Sequence, residues 1–434
     1  MIIRGGTVAT ARGVEKADIS IAGDQITAVG PDLPAAGEEI DASGLHVFPG
    51  GIDSHVHFNE PGRTEWEDIA HGSAALAAGG YTSFIDMPLN NLPVTTNVAA
   101  FDLKVEAMKR SSRLDFGLWG GLVPGNRDQL EPLVRRGVMG FKAFMCPSGI
   151  DEFPACDLNT LREGMKRIAA LGSILLVHAE DPARLLEPKG TGALDFIRSR
   201  PPEAESSAIA QAIELAHVTG CRLHVVHVST ARGLNLIREA QQKGLDVSGE
   251  TCPHYLLYVV EDLERLGGAA KCAPPFRTAA DREALWSAPV VVSDHSPSTL
   301  DLKRSGDFLK VWGGISGCQT TRQLLLAQNR LDLAGVAAVT STNIARRFGL
   351  EGKGDIAAAY DADLWLVDLS HDGVVRNEDL LYRNPFSAHE GQPIQGRTIR
   401  TLVRGETIFV DGKLTATKPI GNLLTPSRGA APPR

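Results

Sequence analysis

His55 and His57 stand one residue apart in the stretch 48–61, which reads as a short strand bounded by glycine and proline. Alternate side chains of a strand share a face, so the two imidazoles project side by side, as two ligands of one metal ion must. Alone, a His-x-His pair is more often two ordinary strand histidines. The residues further along change the balance. The strand-like run 174–177 ends in His178, 223–226 in His227 and 290–293 in Asp294, while Gly140-Phe141 leads into Lys142. Four histidines, a lysine and an aspartate that close separate apolar runs point to a metal centre, provided the fold brings those run ends together.

Lys142 poses its own problem. An ammonium at the end of an apolar strand is buried, and a buried ammonium is costly. One reading pairs it with a carboxylate. The other starts from a depressed pKa: a neutral amine adds carbon dioxide and becomes a carbamate, an anion with two oxygens able to bridge two cations. The sequence leaves both open.

The elements that must position these residues follow from the pattern of the middle of the chain. Between 51 and 350, strand-like runs end near His57, Asp86, Trp119, Lys142, His178, His227, Glu250 and Asp294. Every gap is long enough for a crossover helix, and helical periodicity is expected over 64–78, 158–171, 203–218 and 230–243. Eight strand–helix units predict an α/β fold, a (β/α)8 TIM-type barrel whose active site gathers at the C-terminal ends of the strands. Residues 1–50 and 351–415 instead alternate apolar and polar with glycine turns, so the two ends are expected to meet in one small β-sandwich domain. The segment 416–434, rich in proline and alanine, reads as a surface tail.

Composition narrows the function classes. The 434 residues carry 43% hydrophobic and 22% charged side chains and a net charge of −8, which suits a large core and argues against nucleic acid or an anionic membrane as main partner. No apolar run approaches a membrane span, and no cleavable leader is expected. Six cysteines without a Cys-x-x-Cys pair fit a reducing cytoplasm.

Taken together, His55-Val56-His57, Gly140-Phe141-Lys142, Val177-His178-Ala179-Glu180, Val226-His227-Val228-Ser229, Val292-Ser293-Asp294-His295 and Asn343-Ile344-Ala345-Arg346 resemble the cyclic amidohydrolases, the family of dihydroorotases, hydantoinases (dihydropyrimidinases) and allantoinases. The resemblance spans about 1–413. It implies two divalent cations, usually zinc, with cobalt, manganese, nickel and iron as alternatives. His55, His57 and Asp294 would hold one, His178 and His227 the other, and a carboxylated Lys142 (N6-carboxylysine) would bridge them. Asp294 would also move the catalytic proton. A homotetramer is implied too. His224 is read as structural, since a strand points it away from His227. His254 and His295 are read as neighbours of the site, and His46, His71, His217, His371 and His389 as ordinary.

Within the family, dihydroorotases typically carry an arginine at the position of Asn59. A neutral amide suits an uncharged ring. The strings 59–67, 86–90, 141–149, 271–275 and 312–317 look like the allantoinase branch, which implies ring opening of allantoin, a cyclic ureide, to allantoate. Asn59, Cys146, Gly313 and Ser316 are the expected substrate contacts, with a loop cysteine as the plain alternative for Cys146. The rivals are a hydantoinase or dihydropyrimidinase, a dihydroorotase-like hydrolase, and a non-catalytic scaffold of the same fold. The connection 287–293 is shorter than in relatives, which puts the position of Asp294 in question.

Overall fold

The computed structural model describes residues 1–35, 37–415 and 418–427. Of the expected tail, 416–417 and 428–434 lie outside the described residues.

The middle of the chain is α/β. Gly51–Val56, Tyr81–Asp86 and Asp115–Leu118 form a parallel three-stranded sheet. Gly120–Gly121, Phe141–Phe144, Ile174–His178, Arg222–Val225 and Val247–Gly249 form a parallel five-stranded one. Their continuous apolar runs follow from burial on both faces, the mark of parallel sheets covered by helices. Isolated parallel bridges, Thr251 with Val291 and Val56 with His295, carry pairing from the end of one sheet to the start of the other.

The helices fall close to the expected ranges. Leu158–Ala170, Pro202–Thr219 and Ala231–Gln242 match within one residue. The first begins later than expected, at Ile69 rather than 64, because Asp68 caps it by accepting from the His71 N–H at 2.8 Å, while 60–67 form a loop. Two further corrections concern strands. The run 290–293 is no regular strand; among the described residues it takes part in one isolated bridge, at Val291, before Asp294 turns the chain with φ +47°. Lys142 lies inside Phe141–Phe144 rather than at its end.

Strands from both ends of the chain share a single nine-stranded sheet. His46–Pro49 is the seam. It pairs parallel with Ile2–Thr10 and antiparallel with Leu364–Val374, where Phe48 faces Trp365. One face packs Ile3, Val8, Ile19, Val47, Leu364 and Leu366 into a core of their own. The other meets the helices: Thr398 and Thr401 donate to the carbonyls of Ala78 and Ala77 at 2.7 and 2.8 Å. Residues 418–427 run alongside Asp115–Leu118, where Leu423 bridges Phe116 and the Leu424 N–H donates to the Phe116 carbonyl at 2.7 Å.

Candidate metal centre

His55, in the strand Gly51–Val56, and His57, just beyond it, both turn to Asp294: their Nε2 atoms lie 3.1 and 3.5 Å from Asp294 Oδ1. The shortened connection 287–293 therefore leaves Asp294 within this group. His178, the last residue of Ile174–His178, places Nδ1 3.1 Å from Nε2 of His227, and the His227 ring lies tilted beside that of His55 with centroids 5.5 Å apart. His227 (φ +39°) and Asp294 share a left-handed backbone, a conformation rare outside glycine. At both positions the chain bends and turns a side chain into the common space.

The surroundings fix ring orientation. Glu250 Oε1 lies 2.6 Å from His55 Nδ1, and Glu250 Oε2 lies 3.0 Å from His224 Nε2. Glu180 Oε2 lies 2.7 Å from His178 Nε2, and Arg200 pairs with the same oxygen. Burial favours the neutral acids, but His55 and His224 hold Glu250 down to about 2, and Arg200 and His178 hold Glu180 down to about 2. Each carboxylate thus takes the N–H of one ring nitrogen and leaves the opposite nitrogen as a lone-pair donor. Asp53 Oδ1 accepts from the backbone N–H groups of His55 (3.3 Å) and Ser293 (3.2 Å), tying together the two segments that carry His55 and Asp294. Burial opposes ionisation of Asp294, and His55, His57 and His227 more than offset it, so the carboxyl is held well below its usual range.

Lys142 is buried beside this cluster. Its Nζ has no hydrogen-bond partner among the described residues and lies 5.0 Å from the centroid of the Phe144 ring. Burial pushes it down to about 7. An orphaned buried amine, a buried His227 Nδ1 also without partner, and converging imidazole and carboxylate donors form a set that suits divalent cations.

These residues floor a cavity of about 500 Å³ lined by all six, and by Asn90, Arg200, Lys271, Trp312 and Gly313 among others. The expected substrate contacts divide. Gly313 lines the cavity. Asn59 is wholly buried, with both side-chain amide atoms unpartnered among the described residues, and it is Asn90 that lines the cavity, with its amide nitrogen 3.4 Å from His57 Nδ1. Cys146 is buried, its Sγ 3.8 Å from Glu180, its thiol pushed up to about 12 by burial; its neighbours Pro147, Ser148 and Gly149 form the lining instead. Ser316 is buried, and its carbonyl accepts from Ser387. His224 reaches the cluster only through Glu250, and His295 packs on Phe58 and Tyr382.

Glu250, Glu180, Asp53, Asn90 and Arg200 were not singled out from the sequence. Glu250 and Glu180 left a signal, since one closes a strand-like run and the other follows His178 by two residues. Arg200, in a loop region, left none.

The description "Amidohydrolase family" matches residues 46–408. The chain is similar to an allantoinase of Rubrobacter xylanophilus, with 50% identity covering 99% of this chain and 98% of the relative. It is also similar to an allantoinase of Deinococcus radiodurans, with 45% identity covering 98% of each. Among solved structures, an L-hydantoinase (dihydropyrimidinase) from Arthrobacter aurescens superposes with a TM-score of 0.94 at 31% identity, covering 98% of this chain and 99% of that one.

Proposed function

The chain belongs to the amidohydrolase family, and from that premise we infer that it opens the hydantoin ring of allantoin to give allantoate. The observation that carries this reading is the nearly full-length identity to allantoinases, at 38–50%, against 27–32% to structures titled hydantoinase or dihydropyrimidinase. The family is metal-dependent, and the cluster at the cavity floor suits that chemistry.

The finer assignment is ours. His55, His57 and Asp294 would hold one cation, and His178 and His227 would hold the second. Lys142 would join them as its carbamate, formed when Nζ adds carbon dioxide, makes an N–C bond and releases a proton, and would supply anionic oxygen donors where the amine alone has none. The unpartnered, buried amine of Lys142 supports this, since only the neutral form is a nucleophile. Zinc is the first choice of metal, with cobalt, manganese, nickel or iron as alternatives. When bound, the cations polarise the ring carbonyl and acidify the attacking water, whose pKa falls from about 15.7 to about 7.

The rest is the work of the chain's own groups. The Asp294 carboxylate accepts the proton of the attacking water. It then delivers that proton to the ring nitrogen as the carbonyl–nitrogen bond breaks, leaving a free ureido nitrogen and a carboxylic acid that releases its remaining proton to solvent as the carboxylate forms. Glu250 and Glu180 keep the His55 and His178 rings from rotating. The Gly313 peptide offers backbone polar groups to the ring.

In fold, we read the strand–helix units as a (β/α)8 barrel closed through the bridges at Val291 and His295, and the nine-stranded sheet as a sandwich domain formed by 1–50 with 351–415. A homotetramer in the cytoplasm completes the reading. The six cysteines, all free and buried, support a reducing compartment, and among the described residues no helix is long and apolar enough to cross a membrane. The test is turnover of allantoin, hydantoin and dihydrouracil by the purified, metal-loaded chain. Allantoin is expected to be consumed fastest; faster turnover of either other ring would favour a hydantoinase or dihydropyrimidinase.

A further inference from the structure

One wall of the cavity is the segment 308–314, and two lysines outside the metal cluster hold it. Lys271 Nζ donates to the carbonyls of Phe308 (2.8 Å), Leu309 (2.8 Å) and Val311 (2.6 Å). Lys303 Nζ donates to the carbonyls of Trp312 (2.9 Å) and Gly314. The backbone closes the same links, with the Gly314 N–H donating to the Lys271 carbonyl at 2.7 Å and the Trp312 N–H to that of Leu302 at 2.9 Å. The segment holds a short 3-10 turn, Phe308–Lys310, and no strand, so no ladder sets its position.

Residues 309–314 all line the cavity. Gly313 is the exception to the tethering: its backbone makes no hydrogen bond among the described residues, and a Cβ there would meet open space. Its N–H and C=O remain for a ligand that both donates and accepts, as a cyclic ureide does.

Both lysines are buried, and among the described residues neither faces a carboxylate at ion-pair distance. Such burial is expensive, and an apolar side chain would fill the same space without that cost. Burial pushes Lys271 down to about 8 and Lys303 down to about 7. The two bonds of Lys303 survive loss of its charge, because a neutral amine still donates two N–H groups.

We propose that Lys271 and Lys303 are positioning residues for this reaction: their ε-amino groups clamp 308–314 so that the Gly313 peptide faces the bound ring. The proposal rests on the cyclic-ureide reading of the site. It places the effect on substrate binding, since neither lysine reaches the six residues at the floor.

The test uses the full-length, metal-loaded chain and the separate variants Lys271→Met and Lys303→Met. Each is expected to raise KM for allantoin about tenfold while kcat changes less than about threefold. Metal content stays at the wild-type level, and amide hydrogen exchange across 309–314 quickens. A kcat loss as large as the KM rise, or unchanged kinetics and exchange, would overturn the proposal. If a variant fails to fold, exchange in the substrate-free wild type decides: the clamp requires slow exchange at the hydrogen-bonded amides of Trp312 and Gly314, and exchange there at open-loop rates rejects it. A wild-type chain that leaves allantoin untouched would sink the cyclic-ureide reading instead, with the exchange result still standing.

Discussion

Asp294 has three basic neighbours and a left-handed backbone, and both facts serve one carboxylate that must stay ionised and point inward. Asp294→Asn keeps the shape and one oxygen donor but cannot shuttle a proton. Turnover of allantoin should fall at least about 100-fold with metal still bound; steady-state kinetics with metal analysis checks it, and near-normal kcat would remove Asp294 from the proton path. Lys142→Ala should abolish turnover, and short carboxylic acids such as propionate should restore part of it by supplying the missing oxygens. Full activity without additive would dismiss the carbamate. At this scale the sequence was legible wherever a residue closed its own strand, as His178 does. It was silent where partners come from distant strands: Glu250 reaches His55 across 195 residues, and no local pattern records that. Asn59 and Asn90 show the same limit, since side-chain direction in a loop depends on turns that spacing does not encode.

Strands and helices were readable because their periods are strong, and their breaks less so. The run 290–293 has the apolar text of a strand, yet the turn at Asp294 costs it a ladder. The segment 308–314 has no period at all, and lysine bonds, a short 3-10 turn and a few backbone bonds define it instead. Lys303 gives a pH test at this scale. Its amine is near 7 in the folded chain and about 10.5 when exposed in the unfolded chain. Between those values the unfolded chain binds a proton that the folded one does not, so this lysine makes stability rise with pH, by up to about 1.4 kcal/mol per pH unit. Below pH 7 that slope vanishes. Urea unfolding of wild type and Lys303→Met from pH 7 to 10 should show a steeper rise in the wild type; identical slopes would contradict the assignment.

For the whole molecule, alternation at both termini predicted that the chain's two ends meet each other, and strands of both share the nine-stranded sheet, while the lock between that sheet and the middle left no mark in the sequence. Lys353 Nζ lies 2.6 Å from Asp115, 2.9 Å from Asp361 and 2.7 Å from Asp363, and Arg404 pairs with Asp115. Asp115 opens a strand of the three-stranded sheet, while Asp361 and Asp363 lead into a strand of the nine-stranded one. Removing the central cation leaves buried carboxylates uncompensated, so Lys353→Met should cost about 3–5 kcal/mol. Thermal unfolding would show it as a lower Tm with the metal content of the folded fraction unchanged, and a wild-type Tm would mean the cluster holds nothing together.

The central claim is that six side chains gather a pair of cations for opening a cyclic ureide. It is tested most directly by stripping the chain of metal and titrating zinc back while following allantoin consumption. The account predicts no turnover in the stripped chain and a rise that saturates at about two ions per chain. Full turnover without metal, or no turnover at any zinc level with the fold intact, would contradict it.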